Sequence, residues 1–290
     1  MISLAGVRRN VEFSPNHRGN DNAIYMLVAE RLEAMGCRIV HYTEEEIMAA
    51  EDIAEDVIFT MARSKEVVHK MQRWEREGKL IVNSAKGIEL CYRTNMTRRL
   101  IDNNVPYPES IIVSTKNPTD ATFRALADEN FWIKRGDFHA IHKEDVTFVK
   151  TINEGVDMLH EYAMRGIDEA VISVHLYGDL IKFYGVAESD FFHWFYPNEA
   201  HHSKFNNEAV NGQTQRYDFN VAELKIMSHQ AAEALEIDIF GGDAVISATG
   251  DIQIIDLNDW PSFAPCREEA ADNIAARIYQ KVLTTHGNHY

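Results

Sequence analysis

The sequence has few cysteines and no long apolar segment. Only three cysteines occur in 290 residues, at Cys37, Cys91 and Cys266. Their scatter and odd number argue against a disulfide framework and fit a reducing compartment, so we expect a cytoplasmic protein. No apolar run approaches the roughly 20 residues that a membrane-spanning helix needs, and we therefore expect no membrane partner.

An excess of basic residues is also lacking. The chain has 29 Lys and Arg against 45 Asp and Glu, which gives a net charge of −16. Proteins that bind nucleic acid draw much of their affinity from a basic face, so this balance disfavours a nucleic-acid partner. Small anionic ligands stay compatible with it, because a local cluster of Lys and Arg can work within an acidic surface.

The first third of the chain alternates strand and helix patterns. Strand patterns occur at 2–7, 37–42, 55–62 and 79–84, helical patterns at 23–36 and 64–78, and a polar loop pattern at 14–22. Alternation of this length is typical of parallel α/β units. We therefore predict a small Rossmann-like domain over residues 1–84.

The remainder of the chain mixes its patterns differently. Helical patterns lie at 85–92, 94–104, 153–165, 220–236 and 267–285. Residues 120–151 are predicted to form a helix followed by two strands. Residues 190–218 are predicted to be an irregular loop. Further strands are predicted at 105–114, 170–176, 180–187, 242–248 and 252–257. Segregated strands and helices predict α+β modules, so the fold class of the whole chain is α/β and α+β.

A cluster of carboxylates stands near the end of the sequence. Residues 237–260 predict two antiparallel strands joined by a turn, with Asp243 on the first strand and Asp256 on the second. Asn258 lies two residues beyond Asp256 and so shares its face of the strand. Two carboxylates and an amide oxygen are hard oxygen ligands that suit Mg²⁺ bound beside substrate phosphates. The alternative is structural: Asp243 ends a strand and Asp256 pairs with a nearby arginine.

The same segment resembles the C-terminal signature of the ATP-grasp superfamily. In "GGDAVI" (241–246) and "IIDLNDWPSF" (254–263) an acidic residue on one strand is followed by an acidic-x-Asn motif on the next. Asp256 replaces the commoner Glu, and Ser262 replaces the usual Gly. Residues 81–113 are similar to the segment by which the chain enters that fold, although Asn95-Met96 stands where many members have Asp-Lys.

This resemblance implies an ATP-grasp fold over residues 81–290 with the α/β domain ahead of it. The expected units are an N-terminal domain at 1–84, a central subdomain at 85–176 and a C-terminal subdomain with the metal site at 177–290. The implied cofactors are ATP and Mg²⁺. Asp243, Asp256 and Asn258 fall on the magnesium positions of the pattern.

The resemblance also implies a set of phosphate-binding groups. Lys134, at the end of an apolar strand, matches the lysine that contacts the nucleotide phosphates. The loop after it, "RGDFHAIH" (135–142), has a single glycine where the superfamily has several. It therefore offers fewer close backbone N–H groups, and the side chains of Arg135 and His139 are candidates to replace them. The alternative for His139 is a surface histidine on a mobile loop.

Two further positions complete the nucleotide site that the resemblance implies. Lys182, inside an apolar strand, matches a basic residue that reaches the transferred phosphoryl group, unless strand alternation turns it to solvent. The adenine-binding hinge lacks the usual acidic residue and has Ser173 and His175 instead. We take Lys182 and Arg63 as the candidate catalytic residues.

The substrate-binding site is expected near the carboxyl ends of the first and third strands. In α/β sheets ligands bind outside the carboxyl ends of the strands, and basic and polar residues follow the first and third strand there. The candidate substrate-binding residues are Arg8, Arg9, Asn16, His17 and Arg18, together with Arg216 from a later loop. That loop, 191–219, is rich in aromatic residues, which predicts a lid over the site.

The function that these residues favour is an ATP- and Mg²⁺-dependent ligase. It resembles enzymes of the glutathione synthetase and ribosomal-protein glutamate ligase type, which join a carboxylate to an amine through an acyl phosphate. The expected partners are small-molecule carboxylates and amines, and a homo-oligomer is one expectation because superfamily members are often dimers or tetramers. The alternatives are a small-molecule kinase, similar to inositol trisphosphate kinases, and a nucleotide-binding protein that has lost turnover.

Overall fold

The computed structural model describes residues 2–13, 18–126, 130–197, 210 and 212–287. Within these residues, twelve strands form three sheets of four strands each. No helix in the described part of the chain is both long enough and apolar enough to cross a membrane.

The first sheet is parallel and lies in the N-terminal part of the chain. Its strands are β1 (Ile2–Val7), β2 (Cys37–Tyr42), β3 (Val57–Thr60) and β4 (Leu80–Val82). They are arranged in the order β2-β1-β3-β4. The helices α1 (Arg18–Ala34), α2 (Glu44–Ala49) and α3 (Lys65–Arg76) connect them. Every residue of β3 is buried, as expected for a strand of a parallel sheet covered on both faces.

Two elements of this region differ from the sequence expectation. Helix α1 begins at Arg18, inside the stretch predicted as a polar loop. Helix α2 was not predicted at all. Thr43 accepts a hydrogen bond from the backbone N–H of Glu46, and the Glu46 side chain accepts one from the N–H of Thr43. This capping box stabilises a helix too short to show an apolar periodicity.

The second sheet is antiparallel and occupies the middle of the chain. Its strands are β5 (Ser110–Ser114), β6 (Phe131–Arg135), β7 (Val146–Val149) and β8 (Glu169–Val174), in the order β5-β8-β6-β7. The helices of this region are α4 (Ala85–Leu90), α5 (Arg93–Asp102) and α6 (Ile152–Met164). Where a helix was predicted at the start of 120–151, the chain forms only a 3-10 turn at Asp120–Phe123.

The third sheet is also antiparallel. Its strands are β9 (Asp179–Val186), β10 (Phe192–Phe195), β11 (Ile239–Ile246) and β12 (Ile252–Asp259), in the order β10-β9-β11-β12. The helices α7 (Val221–Ala234) and α8 (Arg267–Gly287) complete the fold. Strand β10 lies in the stretch predicted to be irregular, and Phe192 stacks on Phe183 of the neighbouring strand. Most of the remaining loop that was predicted as a lid lies outside the described residues.

The C-terminal helix returns to the first sheet. Residues of α8 are buried in one apolar cluster with α1 and with Leu4 and Phe59 of the first sheet. Trp260 and Phe263, just after β12, are fully buried in the same cluster. The end of β12 is thereby fixed between the first and third sheets, which places the carboxylate segment at their junction. The three sheets lie within 1–84, 85–176 and 177–290, and these domain boundaries stay predictions.

Candidate active site

A cavity of about 290 Å³ lies between the second and third sheets. One part of its wall is apolar and is formed by Pro108, Trp132, Val174, Leu176, Leu180 and Ile255. The other part is charged. Its cations are Arg63, Arg93, Lys134 and Lys182, and its oxygen groups belong to Asp243, Asp256 and Asn258. A cavity whose wall has an apolar part and a highly charged part suits a ligand that combines both.

The predicted hairpin brings the two carboxylates together. Asp243 on β11 and Asp256 on β12 are direct cross-strand neighbours. Immediately after this pair the register shifts, because Ala244 pairs with Ile254 and leaves Ile255 without a partner. This extra residue is a β-bulge, a feature that redirects side chains, and both Ile255 and Asp256 line the cavity.

The bulge also supplies a backbone group to the site. The side-chain ammonium of Lys134 donates a hydrogen bond of 3.2 Å to the carbonyl oxygen of Ile255. Lys134 is buried next to another cation. Burial, and then the charge of Arg93, lower the pKa of Lys134 to about 7. A phosphate in the cavity would restore a balance of charge around this lysine.

Each carboxylate is paired with a cation of the cavity wall. The ammonium of Lys182 lies 2.9 Å and 3.1 Å from the two carboxylate oxygens of Asp243. The guanidinium of Arg93 binds both oxygens of Asp256, at 2.8 Å and 3.2 Å. Burial would raise the pKa of Asp256, but Arg93 and Lys134 outweigh it and lower the pKa to about 2. Asp256 is therefore anionic at neutral pH.

Arg93 was not identified from the sequence. It is the first residue of α5 and lies three residues before Met96, where the superfamily pattern has a lysine. Residues three apart share one face of a helix, so Arg93 presents its charge one turn away from that position. The signal that could have found it was the replacement of that lysine by Met96, together with a basic residue one turn upstream.

Two glycines leave the floor of the cavity without side chains. A Cβ atom on Gly242 would lie 2.3 Å from the carbonyl oxygen of Asp256 and 2.6 Å from the ring of Phe183. A Cβ atom on Gly241 would lie 2.6 Å from the ring of Tyr184. Strand β11 therefore approaches its neighbours closely only because both residues are glycine.

The donor set fits magnesium and a nucleotide. Asp243 and Asp256 provide two carboxylates, and Asn258 provides an amide oxygen on the same face of β12. In the described part of the chain, no group of three or more His, Cys, Asp or Glu side chains could hold a metal ion. Magnesium at Asp243, Asp256 and Asn258 would therefore complete its shell with phosphate oxygens and water, which is how it usually binds beside nucleotides.

The other predicted nucleotide-binding residues divide into two groups. His139 and Ser173 line the cavity. Arg135 does not, because it follows Lys134 on the strand and points to the other face, where it pairs with Asp137 at 2.9 Å and with Asp145 at 3.3 Å. His175 also lies outside the cavity lining. Its Nδ1 accepts a hydrogen bond of 3.1 Å from the indole N–H of Trp132.

A second group of charges is buried behind the cavity. Asp259, at the end of β12, is fully buried. One of its oxygens lies 3.5 Å from the Arg63 guanidinium and 3.3 Å from Nε2 of His139, and the other lies 3.9 Å from Arg9. Asp259 points away from the face of Asp256 and Asn258, as strand alternation requires. Asp259 and Arg9 were not expected to contact each other.

Two of the predicted substrate-binding residues, Arg8 and Arg9, lie beside a second cavity. The buried guanidinium of Arg9 donates to Asp21 and to the carbonyl oxygens of Met61 and Trp260. Arg8 is exposed, and its guanidinium lies 5.3 Å from the centre of the Tyr25 ring. Arg8 and Arg9 line a second cavity of about 380 Å³ at the carboxyl ends of β1 and β3.

The remaining candidates do not reach either cavity or are not described. Arg216 is exposed and lines neither of the two cavities. Arg18 is the first residue of α1. Asn16, His17 and the side chain of Arg18 lie outside what the structure describes, so the predicted role of these three residues in binding substrate stays a prediction.

The fold was compared with known proteins. Neither the family models nor the curated proteins gave a match to the sequence. Solved structures are similar over nearly the whole chain. A RimK domain ATP-grasp protein from Sphaerobacter thermophilus has a TM-score of 0.69 at 15% identity, covering 96% of this chain and 99% of that one. The D-alanine–D-alanine ligase of Bacillus anthracis, complexed with ATP, has a TM-score of 0.68 at 15% identity, with 100% of both chains covered.

A third similar structure is the ATP-grasp ligase PsnB complexed with its minimal precursor, with a TM-score of 0.62 at 15% identity over 96% of this chain and 99% of that one. The chain therefore has the ATP-grasp fold, and the resemblance seen in the sequence is confirmed at the level of the fold. At these identities the likeness defines the architecture, and the chemistry has to be argued from the residues of this chain.

Proposed function

We propose that this protein is an ATP- and Mg²⁺-dependent ligase that joins a carboxylate to an amine and releases ADP and phosphate. The observation that carries the proposal is the charged part of the cavity. There, four cations surround two carboxylates and an amide on a floor kept open by glycine. The apolar part, which includes Trp132 and Leu176, suits a purine base. Two of the similar structures described above are named as ligases, which supports this class of reaction.

Different residues of the cavity are proposed to bind different phosphates of the nucleotide. We assign Lys134 and Arg93 to the phosphates nearest the base, because Lys134 lies two residues from Trp132 on β6, both line the cavity, and Arg93 is close enough to lower the pKa of Lys134. We assign Lys182 and Arg63 to the transferred phosphoryl group. Magnesium held by Asp243, Asp256 and Asn258 would neutralise phosphate charge and so favour transfer. Catalysis of this kind consists of positioning and charge stabilisation.

The proposed reaction has two steps. A carboxylate oxygen of the first substrate attacks the terminal phosphorus of ATP, and ADP leaves with the electron pair of the broken P–O bond. The resulting acyl phosphate is then attacked by the amine of the second substrate, and phosphate leaves. Neither step needs a covalent bond to the protein. The second cavity, with exposed Arg8 at its wall, is the proposed place for an anionic part of the substrate.

The proposal is tested by measuring ADP and phosphate together. Purified protein is incubated with ATP, Mg²⁺ and pools of small carboxylates and amino acids, and the products are identified by mass spectrometry. We expect equal amounts of ADP and phosphate only when a carboxylate and an amine are both present. ADP without free phosphate, together with a phosphorylated metabolite, would instead identify a kinase.

Two matched variants make this test specific to the cavity. D256N removes one carboxylate charge from the metal positions and should lower turnover by at least about 10³-fold, because charge stabilisation of a transferring phosphoryl group is a large part of the catalysis. D157N changes an exposed carboxylate on α6 and should have no effect. Full activity in D256N would contradict the metal assignment.

A further inference from the structure

His139 occupies a position that the proposed nucleotide site does not require. It lies in the loop between β6 and β7, its side chain is only 5% exposed, and it lines the cavity. Arg63 follows β3 of the first sheet and Asp259 ends β12 of the third. His139 therefore stands where the loops of all three sheets meet, beside the charged part of the cavity.

The contacts of the ring define which nitrogen carries the proton. Nε2 of His139 is fully buried and lies 3.3 Å from an oxygen of Asp259, an ion-pair distance at which the two groups are not aligned for a hydrogen bond. A carboxylate at this distance stabilises the tautomer with its proton on Nε2. Nδ1 is then the nitrogen with a free lone pair. Because the ring lines the cavity and Nε2 faces Asp259, Nδ1 is the nitrogen that remains for a ligand in the cavity.

The surroundings of this imidazole favour its neutral form. Burial, and then the charge of Arg63, lower the pKa of His139 to about 4, although Asp259 and Asp256 act in the opposite direction. Arg9 faces the same cluster through Asp259, and the neutral ring of Tyr92 packs edge-on against the imidazole. A neutral imidazole is a poor phosphate ligand beside four cations, but it can accept a proton. Phosphate charge in the filled cavity favours the imidazolium and so strengthens the base.

We propose that His139 is the general base for the amine, with Nδ1 accepting a proton from the substrate ammonium and Asp259 acting as the positioning residue. This inference rests on the proposed ligase function. The ammonium gives one proton to Nδ1, and its nitrogen lone pair forms the C–N bond with the acyl phosphate. The C–O bond to phosphate breaks, and phosphate leaves with that electron pair. The second N–H proton passes to the departing phosphate, and His139 returns its proton to water.

The test separates capture of a charged amine from all earlier steps. Hydroxylamine is already neutral at neutral pH and needs no base, so it traps an acyl phosphate as a hydroxamate. With ATP, Mg²⁺ and the carboxylate pool, H139Q should form hydroxamate within about threefold of the unmodified protein. With the amino-acid pool in place of hydroxylamine, amide formation by H139Q should fall by about 10²-fold or more, the usual contribution of a general base.

A pH profile distinguishes a base from a merely structural residue. The amide-forming rate of H139Q should rise with pH towards that of the unmodified protein, because free amine then replaces the ammonium. D259N should lower amide formation more than hydroxamate formation, although both should fall because Arg63 also loses a charged partner. H142Q, a change of the exposed histidine in the same loop, should alter neither product.

Two results for H139Q would contradict the proposed role of His139. An equal loss of hydroxamate and amide in H139Q would show that His139 acts on the nucleotide or on acyl phosphate formation, and unchanged amide formation would show that it has no role. If H139Q fails to fold, H139N serves in its place, with binding of ATP as the check on folding. Failure of the unmodified protein to form either product would contradict the proposed ligase function itself.

Discussion

At the scale of single residues, the site depends on cations that are held close together before any phosphate arrives. Lys134 and Arg93 are both buried against the same stretch of β12, and their mutual repulsion is offset by Asp256, by Asp243 and by the backbone carbonyl of Ile255. A group of this kind favours an anionic ligand because the ligand relieves the repulsion. Because Lys134 titrates near neutral pH, its influence on the binding of an anionic ligand can be measured as a pH dependence of affinity.

Affinity for ATP should fall as the pH rises above about 7. The pKa of Lys134 in the free protein is about 7, and a bound phosphate favours the protonated amine. Binding above that pH must therefore take up a proton, which weakens affinity by up to about tenfold per pH unit. Calorimetric titration with ATP should show this slope relative to K134R, whose charge does not titrate in this range. The comparison removes the titration of ATP itself, and equal slopes in the two proteins would contradict the prediction.

At the scale of elements, two local devices hold the catalytic groups in place. One is the loop between β6 and β7, which carries His139 and is fixed by the fully buried Asp145. This carboxylate accepts hydrogen bonds from the N–H groups of Ile141 and His142 at 2.8 Å and 2.9 Å, and it pairs with Arg135 and Arg165. The other device is the close packing of β11 on its two neighbours.

D145N should destabilise the protein by about 2 kcal/mol at neutral pH, because Arg135 and Arg165 lose their buried partner and keep the more exposed Asp137 and Glu161. Burial would raise the pKa of Asp145, but the two backbone N–H groups and Arg165 lower it. A lowered pKa contributes stability that is fully present above the unfolded value of about 4 and is lost as the pH falls through the folded value. Denaturant unfolding should therefore show a difference from D145N that shrinks below about pH 4. A pH-independent difference would contradict this account.

Gly242→Ala should lower the free energy of unfolding by about 3 kcal/mol, at the upper end of the range for overpacked sites, because its Cβ would meet backbone rather than a flexible side chain. It should also weaken ATP binding, since Asp256 must move. The control is Gly19→Ala in α1, where a Cβ would have no neighbour within 4 Å. That change should be neutral or slightly stabilising. Equal stabilities of the two variants in denaturant unfolding would show that β11 has room that the structure does not suggest.

At the scale of the whole molecule, the sequence predicted more of the fold than of the contacts within the site. Hairpin periodicity and the resemblance together placed Asp243, Asp256 and Asn258 on one face. The bulge at Ile255 could not be predicted, because it is a matter of register between strands. The pairing of Arg93 with Asp256 spans 163 positions and depends on how α5 packs on the third sheet. The same holds for the group around Asp259, which exists only once three sheets are assembled.

The proposed mechanism requires that the carboxylate substrate accept the terminal phosphoryl group of ATP and so form an acyl phosphate. The most direct measurement uses a carboxylate identified in the product assay and labelled with ¹⁸O in both oxygens. Mass spectrometry then follows the label in the released phosphate. Transfer through an acyl phosphate predicts that each phosphate carries one ¹⁸O atom from the carboxylate. Phosphate without label, released at the same rate as ADP, would contradict the proposed mechanism.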